Sequence, residues 1–264
     1  MNATSEHFDD ALAVEEPLEI RLGSRNQPHR SISITMRTPG DDASLAVGFL
    51  FTEGIIQSRD QIAEVRHCGK PSPDKGIRNT VLVELTDGVE VDLKRLERHF
   101  YTTSSCGVCG KSSIEALQTG VVQITNEGRL VSADVIHRLP AAIISRQSTF
   151  ERTGGLHASM LFNTAGEIDS VAEDVGRHNA LDKVIGTKLM SGDLPLSDRI
   201  LLVSGRASFE LVQKALMAGI PIMAAVGAPS SLAVELAREY GMTLIGFVRD
   251  GRFNIYSNDS RIKS

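Results

Sequence analysis

The second half of the chain alternates short apolar segments with helical segments. The order is strand Ile200–Val203, helix Phe209–Ala218, strand Pro221–Ala225, helix Ser231–Tyr240 and strand Thr243–Val248. Short strands joined by helices of about ten residues form β-α-β crossovers, in which the strands run parallel in one sheet. The alternation therefore predicts an α/β fold for this half of the chain.

The segments just before this alternation predict a helix, a hairpin and another helix. The first helix is expected over Pro140–Glu151, the hairpin joins His157–Asn163 to Glu167–Val171, and the second helix covers Arg177–Met190. We expect residues 136–264 to form one α/β domain with a mixed sheet.

Alternating apolar residues predict strands in the first half of the chain as well. One strand contains Ile20 and Leu22, and the next contains Ile32, Ile34 and Met36, with these residues facing a core. A hairpin is predicted from the strands Thr80–Leu85 and Val89–Val91 and the Asp87-Gly88 turn between them.

A short helix is predicted between these pairs of strands. It covers Leu45–Phe51 and ends at Gly54, because glycine readily adopts the left-handed conformation of a C-terminal cap. A further helix is expected over Ser112–Gln118. We expect a smaller α+β domain over residues 18–135, preceded by a disordered polar tail of residues 1–17.

The composition excludes several classes of protein. The 28 Lys and Arg residues against 33 Asp and Glu, with no basic stripe, argue against nucleic-acid binding. The apolar runs are too short to cross a bilayer, and the N-terminus lacks the features of a secretory signal. Three cysteines cannot form a disulfide framework. We therefore expect a cytoplasmic protein that binds neither membranes nor nucleic acid.

The segment Thr102–Gly110, TTSSCGVCG, carries two of the three cysteines. Structural zinc would need further ligands such as Cys68 and His67, and a thioredoxin-type pair would follow the first strand of a compact unit. Two buried small side chains are a third interpretation, and a sulfur-carrying loop is a fourth. The glycines and serines around Cys106 and Cys109 favour an exposed loop, and the following lysine and helix N-terminus would stabilise a thiolate. These residues favour a reactive thiol over a structural metal.

Polar loops follow the three predicted parallel strands. Ser204-Gly205-Arg206 follows the first strand, Gly227–Ser231 the second and Arg249–Arg252 the third. In open α/β sheets, ligands bind outside the carboxyl ends of the strands. Helix N-termini and guanidinium groups favour anions, so the loops predict a crevice for a phosphate- or nucleotide-bearing ligand. Ordinary helix capping is the alternative interpretation.

Two more polar segments, Thr153–His157 and Glu173–Asn179, flank predicted strands. A functional role would be to orient a substrate or move a proton. The structural alternative is a packed His157 and a local pair between His178 and Asp182, one helical turn later. The residues leave five roles open, those of His157, Glu173, Asp174, Arg177 and His178.

Five stretches of the chain resemble the formate dehydrogenase accessory sulfurtransferases, the FdhD family. They are CGVCG at Cys106–Gly110, TGGLHAS at Thr153–Ser159, EDVGRHNALDKVIG at Glu173–Gly186, SGRASFELVQKA at Ser204–Ala215 and GFVRDGRFNIY at Gly246–Tyr256. The resemblance runs from about Glu19 to Tyr256. It implies a homodimer and a cytidine-deaminase-like fold for the C-terminal domain.

The resemblance also implies a function and its partners. Members of the family are cytoplasmic carriers that accept persulfide sulfur from a cysteine desulfurase. They pass it to the molybdenum (or tungsten) centre of the bis-molybdopterin guanine dinucleotide cofactor before the cofactor enters formate dehydrogenase. Cys106 matches the persulfide-bearing cysteine, and Cys109 matches its partner. We expect this cofactor, or a GDP-like nucleotide in its place, to be bound by Phe247, Val248, Arg249, Asp250, Gly251 and Arg252, together with Ser204, Gly205 and Arg206.

Two other functions are alternatives to a sulfurtransferase. A non-catalytic chaperone would bind the molybdopterin nucleotide without carrying labile sulfur. A zinc deaminase would need His-x-Glu followed by Pro-Cys-x-x-Cys. His157 is followed instead by Ala158-Ser159, and the Cys-x-x-Cys pair lies upstream. We therefore expect no zinc and a crevice that is used for binding.

Overall fold

The computed structural model describes residues 9–24, 28–91, 121, 123–125, 130–146 and 153–263. Within these ranges the chain forms a four-stranded sheet, a six-stranded sheet and a small two-stranded sheet, with helices packed against them. The predicted cysteine loop at 102–110 and the predicted helix at 112–118 fall outside these ranges.

The N-terminal sheet has the strand order β2-β1-β4-β3. Its strands are β1 (Glu16–Gly23), β2 (Arg30–Arg37), β3 (Ile62–His67) and β4 (Thr80–Leu85). Strand β1 pairs antiparallel with β2 and parallel with β4. Helix α1 (Asp42–Thr52) lies between β2 and β3 in the chain. It ends as predicted, because Gly54 has a φ of +69° and its N–H donates to the Phe51 carbonyl.

The C-terminal sheet has the strand order β11-β10-β9-β8-β6-β7. Its strands are β6 (His157–Asn163), β7 (Ile168–Asp174), β8 (Arg199–Val203), β9 (Ile222–Ala225), β10 (Thr243–Arg249) and β11 (Arg252–Ser257). The helices between them are α3 (Arg177–Ser191), α4 (Phe209–Met217) and α5 (Ser231–Glu239). Strands β8, β9 and β10 are parallel, whereas β6 is antiparallel to both β7 and β8. The mixed α/β sheet and its three parallel strands confirm the predicted fold class.

The remaining described elements are one helix, two short strands and two single-turn 3-10 helices. Helix α2 covers Ala133–Arg146, and the short strand β5 (Val131–Ser132) pairs in parallel with β12 (Ile262–Lys263). Two single-turn 3-10 helices cover Arg59–Gln61 and Asp259–Arg261.

Helices α1 and α3 connect the two large sheets through direct backbone contact. They touch at Gly48 and Gly186. A Cβ on Gly186 would lie 1.9 Å from the Ser44 carbonyl oxygen, and one on Gly48 would lie 1.8 Å from the Asp182 carbonyl oxygen. One apolar core extends from the N-terminal sheet through these helices to the C-terminal sheet, and a second core lies between α2 and the opposite face of that sheet. The division of the chain near residue 135, which lies in α2, stays a prediction.

Strand pairing explains two differences from the predicted strands. Ile34 and Met36 are 67% and 48% exposed, so the prediction that they face the core is wrong for both. They pair with Glu19 and Pro17 on the outer face of the sheet, while the buried Leu18 of β1 pairs with Thr35. The predicted strand at Val89–Val91 is not formed, because β4 is already paired with β1 on one side and with β3 on the other.

Two element boundaries also differ from the predictions, and one strand was not predicted. Helix α2 begins at Ala133, so Pro140 lies inside the helix and does not start it. Strand β1 begins at Glu16, within the predicted tail, because it pairs with the end of β2. Strand β11 was not predicted, and it turns the chain back along β10 after Arg249.

Candidate binding edge

The three predicted loops lie side by side at one edge of the C-terminal sheet. The Gly227 N–H donates to the Gly205 carbonyl at 3.0 Å, and the Phe247 N–H donates to the Gly227 carbonyl at 3.1 Å. The Ala207 N–H donates to the Ala228 carbonyl at 3.2 Å. The structure thus brings together the loops that contain Ser204, Gly205 and Arg206, residues 227–231, and residues 247–252. We call this the binding edge.

Two glycines allow these loops to approach each other. A Cβ on Gly227 would lie 3.1 Å from the Gly205 carbonyl oxygen, and one on Gly246 would lie 2.9 Å from Cδ of Pro229. Side chains at these positions would push the loops apart. The binding edge therefore depends on glycine for its close packing.

The turn between β10 and β11 carries the predicted nucleotide-binding segment. Phe247 and Asp250 have φ values of +55° and +54°, a conformation that is uncommon for residues other than glycine. The Arg249 guanidinium lies 5.7 Å from the centre of the Phe247 ring. Arg249, Asp250, Gly251 and Arg252 are exposed, whereas the side chain of Val248 is buried in the core beneath α2. Val248 could contribute to a ligand only through its backbone.

The two polar segments whose roles were open end at the same edge. His157 begins β6 and pairs with Asp174 at the end of β7, because these strands are antiparallel. The Ala158 N–H donates to the Ser204 hydroxyl at 2.9 Å, which ties the start of β6 to the loop after β8. Arg177 and His178 follow at the start of α3.

Asp174 has a structural role at this edge. It is fully buried and forms a 2.8 Å ion pair with Lys183. It also accepts hydrogen bonds from the backbone of Thr38 and Gly176 and from the Asn179 side chain. Because all these donors belong to β2, α3 or their connections, the carboxylate fixes the start of α3 against the N-terminal sheet.

The suggested pair between His178 and Asp182 is wrong. Asp182 is buried and accepts hydrogen bonds from Lys214 at 3.0 Å and from the Thr52 hydroxyl at 2.8 Å. Lys214 also contacts Glu53, so one cation is shared by two carboxylates. Burial raises the pKa of Asp182 to about 6 despite Lys214, and the two carboxylates raise the pKa of Lys214 against its own desolvation. This network joins α1, α3 and α4.

Both histidines at the binding edge are held neutral at pH 7. Burial, followed by the charges of Lys214 and Arg177, lowers the pKa of His178 to about 4. Burial and Arg177 also lower the pKa of His157. His157 lies against Gly205, where a Cβ would be 3.4 Å from the His157 Nδ1 atom. Neither imidazole therefore contributes positive charge to the edge at neutral pH.

Cys106 and Cys109 lie outside the described residues, so their roles stay predictions. Cys68 directly follows β3 as a half-buried free thiol, and its N–H donates to the Thr80 carbonyl. Among the described residues, no three His, Cys, Asp or Glu side chains are grouped closely enough to hold a metal ion. In the same parts of the chain, no helix has both the length and the apolar character needed to cross a bilayer.

The fold and the binding edge place the chain in a class of mixed α/β proteins with two large sheets. In this class, the loops that follow three parallel strands meet at one edge of a sheet. The sequence pattern of the FdhD/NarQ family matches residues 13–263. The chain therefore belongs to the FdhD/NarQ family, as the resemblance of its five motifs predicted.

Individual relatives support this assignment. A protein of Streptomyces avermitilis named Sulfur carrier protein FdhD is 50% identical over 257 residues, which cover 96% of this chain and 89% of the relative. A protein of Mycobacterium tuberculosis with the same name is 46% identical over 258 residues, which cover 96% and 92%. A crystal structure from Desulfotalea psychrophila, described as a formate dehydrogenase accessory protein, has a TM-score of 0.73 and 26% identity and covers 97% and 92% of the two chains. The specific likeness to cytidine deaminases stays a prediction.

Proposed function

We propose that this protein is a sulfur carrier that is required for formate dehydrogenase activity. Cys106 accepts sulfur from a cysteine desulfurase, and the protein passes it to the bis-molybdopterin guanine dinucleotide cofactor before the cofactor enters the dehydrogenase. The observation that carries the proposal is membership of a family whose 46–50% identical relatives are named sulfur carriers. The Cys-x-x-Cys segment supplies the thiols that such a role needs.

The first step is a persulfide exchange. The Cys106 thiolate attacks the outer sulfur of the donor persulfide, and a new S–S bond forms while the donor's own S–S bond breaks. The donor cysteine leaves as a thiolate, and the transferred sulfur keeps its proton in Cys106–S–SH. No net oxidation occurs, so the step needs no further reactant. Cys109 would then protect the thiol, or release the sulfur by attacking the inner sulfur of Cys106–S–SH. In that case a Cys106–Cys109 disulfide forms, the persulfide S–S bond breaks and the outer sulfur leaves as hydrosulfide, with the two cysteines supplying the two electrons.

The binding edge supports the second half of the proposal, which is that the cofactor is held as a substrate. Arg206, Arg249 and Arg252 are exposed there, and the loops after β8 and β9 lead into the N-termini of α4 and α5. Guanidinium groups and helix N-termini both favour the phosphates of a guanine nucleotide. The Phe247–Arg252 turn, which is exposed over its last four residues, would hold the nucleotide, and a GDP-like molecule would substitute for it.

The proposal is tested by formate dehydrogenase activity in cells that lack their own carrier and express variants of this protein. We expect Cys106→Ala to abolish activation, while the matched variant Cys68→Ala retains it because Cys68 lies in the other sheet, after β3. If Cys106→Ala retained full activation, Cys106 would not carry the sulfur. A non-catalytic chaperone that delivers the molybdopterin nucleotide would then be the better description.

A homodimer in the cytoplasm, with the desulfurase and the dehydrogenase as its partners, completes the proposal. Size-exclusion chromatography with light scattering tests the oligomeric state, and a monomer at micromolar concentration would contradict it.

A further inference from the structure

A cluster of polar groups lies at the binding edge beside the residues proposed to hold the nucleotide. We call it the Arg177 cluster, and its members are His157, Arg177, His178, Ser208 and Glu210. The His178 Nε2 atom lies 3.5 Å from the Ser208 hydroxyl oxygen and 3.9 Å from Oε2 of Glu210. These side chains come from the starts of β6, α3 and α4, so the fold has gathered them from three separate segments.

One donor of the Arg177 guanidinium has no hydrogen-bond acceptor among the residues that the structure describes. Its Nε atom is buried without a hydrogen-bond acceptor. Its charge is felt by both imidazoles, whose pKa values it lowers in addition to the effect of burial. A buried guanidinium N–H without an acceptor lowers the stability of the fold. We therefore expect a bound group from outside the chain to supply the acceptor.

The pKa of Glu210 indicates that this position stabilises a negatively charged group. Burial alone would raise the pKa of its carboxyl group. Hydrogen bonds from its own N–H and from Ser208, together with the charge of Arg177, outweigh burial and lower the pKa. The cluster therefore already stabilises one anion. The Glu210 side chain is 59% exposed, so it can move aside without loss of core packing.

We propose that the Arg177 cluster is an oxyanion subsite that binds a phosphate group and that the Glu210 carboxylate occupies it until phosphate displaces it. The planar guanidinium matches phosphate oxygens, and the Ser208 hydroxyl and the neutral imidazoles add donors. The inference rests on the proposed function only in assigning the phosphate to the nucleotide-bearing cofactor.

The position of the cluster agrees with a ligand that also reaches the β10–β11 turn. Ser208 follows β8, and Arg249 ends β10, with only β9 between these strands. Two strand spacings amount to about 10 Å, a distance that an extended nucleoside diphosphate covers. A nucleotide that binds the turn would thus reach the cluster at Ser208.

Calorimetric titration of the full-length protein with pyrophosphate tests the subsite. We expect Arg177→Gln to weaken the affinity about tenfold or more, because a charge-assisted bidentate contact is lost. We expect Glu210→Gln to strengthen it several-fold, because a competing anion is removed. The control Arg66→Gln, which removes an exposed cation from β3 in the other sheet, should leave it unchanged. Opposite effects at residues 177 and 210 would not arise from a structural role, and any other combination overturns the proposal.

A measurement on the unaltered protein keeps the test independent of variant folding. Bound pyrophosphate should raise the pKa of His178, observed by NMR of its imidazole, and an unchanged titration curve would overturn the proposal. Titration with GDP separates the two sources of phosphate. If GDP affinity also falls in Arg177→Gln, the subsite serves the nucleotide, and if only pyrophosphate affinity falls, it serves free pyrophosphate. Absence of persulfide on Cys106 would refute the sulfur-carrier function without affecting these results.

Discussion

Replacement of Gly186 by alanine should destabilise the protein, although the same change usually stabilises a helix. Alanine is favoured over glycine in helix interiors by about 1 kcal/mol. In α3, however, the new Cβ would lie 1.9 Å from the Ser44 carbonyl oxygen of α1, and ordinary contact begins at 3.4 Å. The helices must therefore separate by 3.4 − 1.9 = 1.5 Å at this point.

This separation affects the packing of the whole helix pair. A gap of 0.5–1 Å already removes about a quarter to a half of the dispersion energy of the atoms that line it. Forcing extra atoms into a packed core costs about 1–3 kcal/mol and sometimes more. We expect a net loss of about 3 kcal/mol for Gly186→Ala, with Gly48→Ala similar because its Cβ would lie 1.8 Å from the Asp182 carbonyl oxygen.

Urea unfolding followed by circular dichroism measures these changes. Gly155→Ala is the matched control, since its Cβ would meet nothing closer than 3.6 Å, and we expect a change within about 0.5 kcal/mol. The double variant of Gly48 and Gly186 should lose less than the sum of the two single losses, because one helix shift accommodates both methyl groups. A Gly186→Ala protein as stable as the parent would refute close backbone contact between α1 and α3.

Three further predictions concern the buried network and the binding edge. Lys214→Met should cost about 3 kcal/mol of unfolding free energy, because it leaves the buried Asp182 charge unpaired, and adding Asp182→Asn should recover most of this loss in the same urea assay. His178 should titrate near pH 4 by NMR. Its contribution to stability should be fully present above about pH 6.5 and lost as the pH falls through 4, so a measured pKa near 6.5 would contradict its burial. The double variant Arg249→Gln/Arg252→Gln should weaken GDP binding by about tenfold or more in calorimetry and leave persulfide formation intact, and unchanged GDP affinity would reject the proposed turn.

The β8-to-β10 region could be predicted from sequence because its folding rules are local. Apolar residues recur there with the period expected for each strand and helix. Parallel strands also place the loops that follow them at one edge of the sheet. This is why the meeting of the loops that contain Gly205, Gly227 and Phe247 was foreseen. The same reasoning could not show that Val248 is buried. Helices cover both faces of β10, and the local sequence pattern does not reveal the contact with α2.

The rest of the site depends on long-range pairing that periodicity does not reveal. The Thr153–His157 segment reaches the edge only because β6 inserts antiparallel between β7 and β8. The partner of Asp182 is Lys214, 32 positions further along the chain, so a local histidine four residues away was the wrong choice. The five motifs themselves were the signal that pointed to Arg177 and His178.

Strand β11 was not predicted, and the predicted start of helix α2 was wrong, each for its own reason. Residues Arg252–Ser257 are mostly polar and partly exposed, so their strand conformation comes from pairing with β10 and not from apolar alternation. The predicted helix began at Pro140, yet α2 begins at Ala133 and accommodates this proline in its interior, where proline lacks the N–H donor of a regular helix. Packing of α2 against the C-terminal sheet offsets that local cost.

The most direct test of the proposed function is the mass of the protein after incubation with a cysteine desulfurase and cysteine. We predict that the intact protein and Cys68→Ala each gain the mass of a sulfur atom, released by a thiol reductant, whereas Cys106→Ala gains none. Sulfur added equally to Cys106→Ala, or to none of the three proteins, would contradict a carrier role for Cys106.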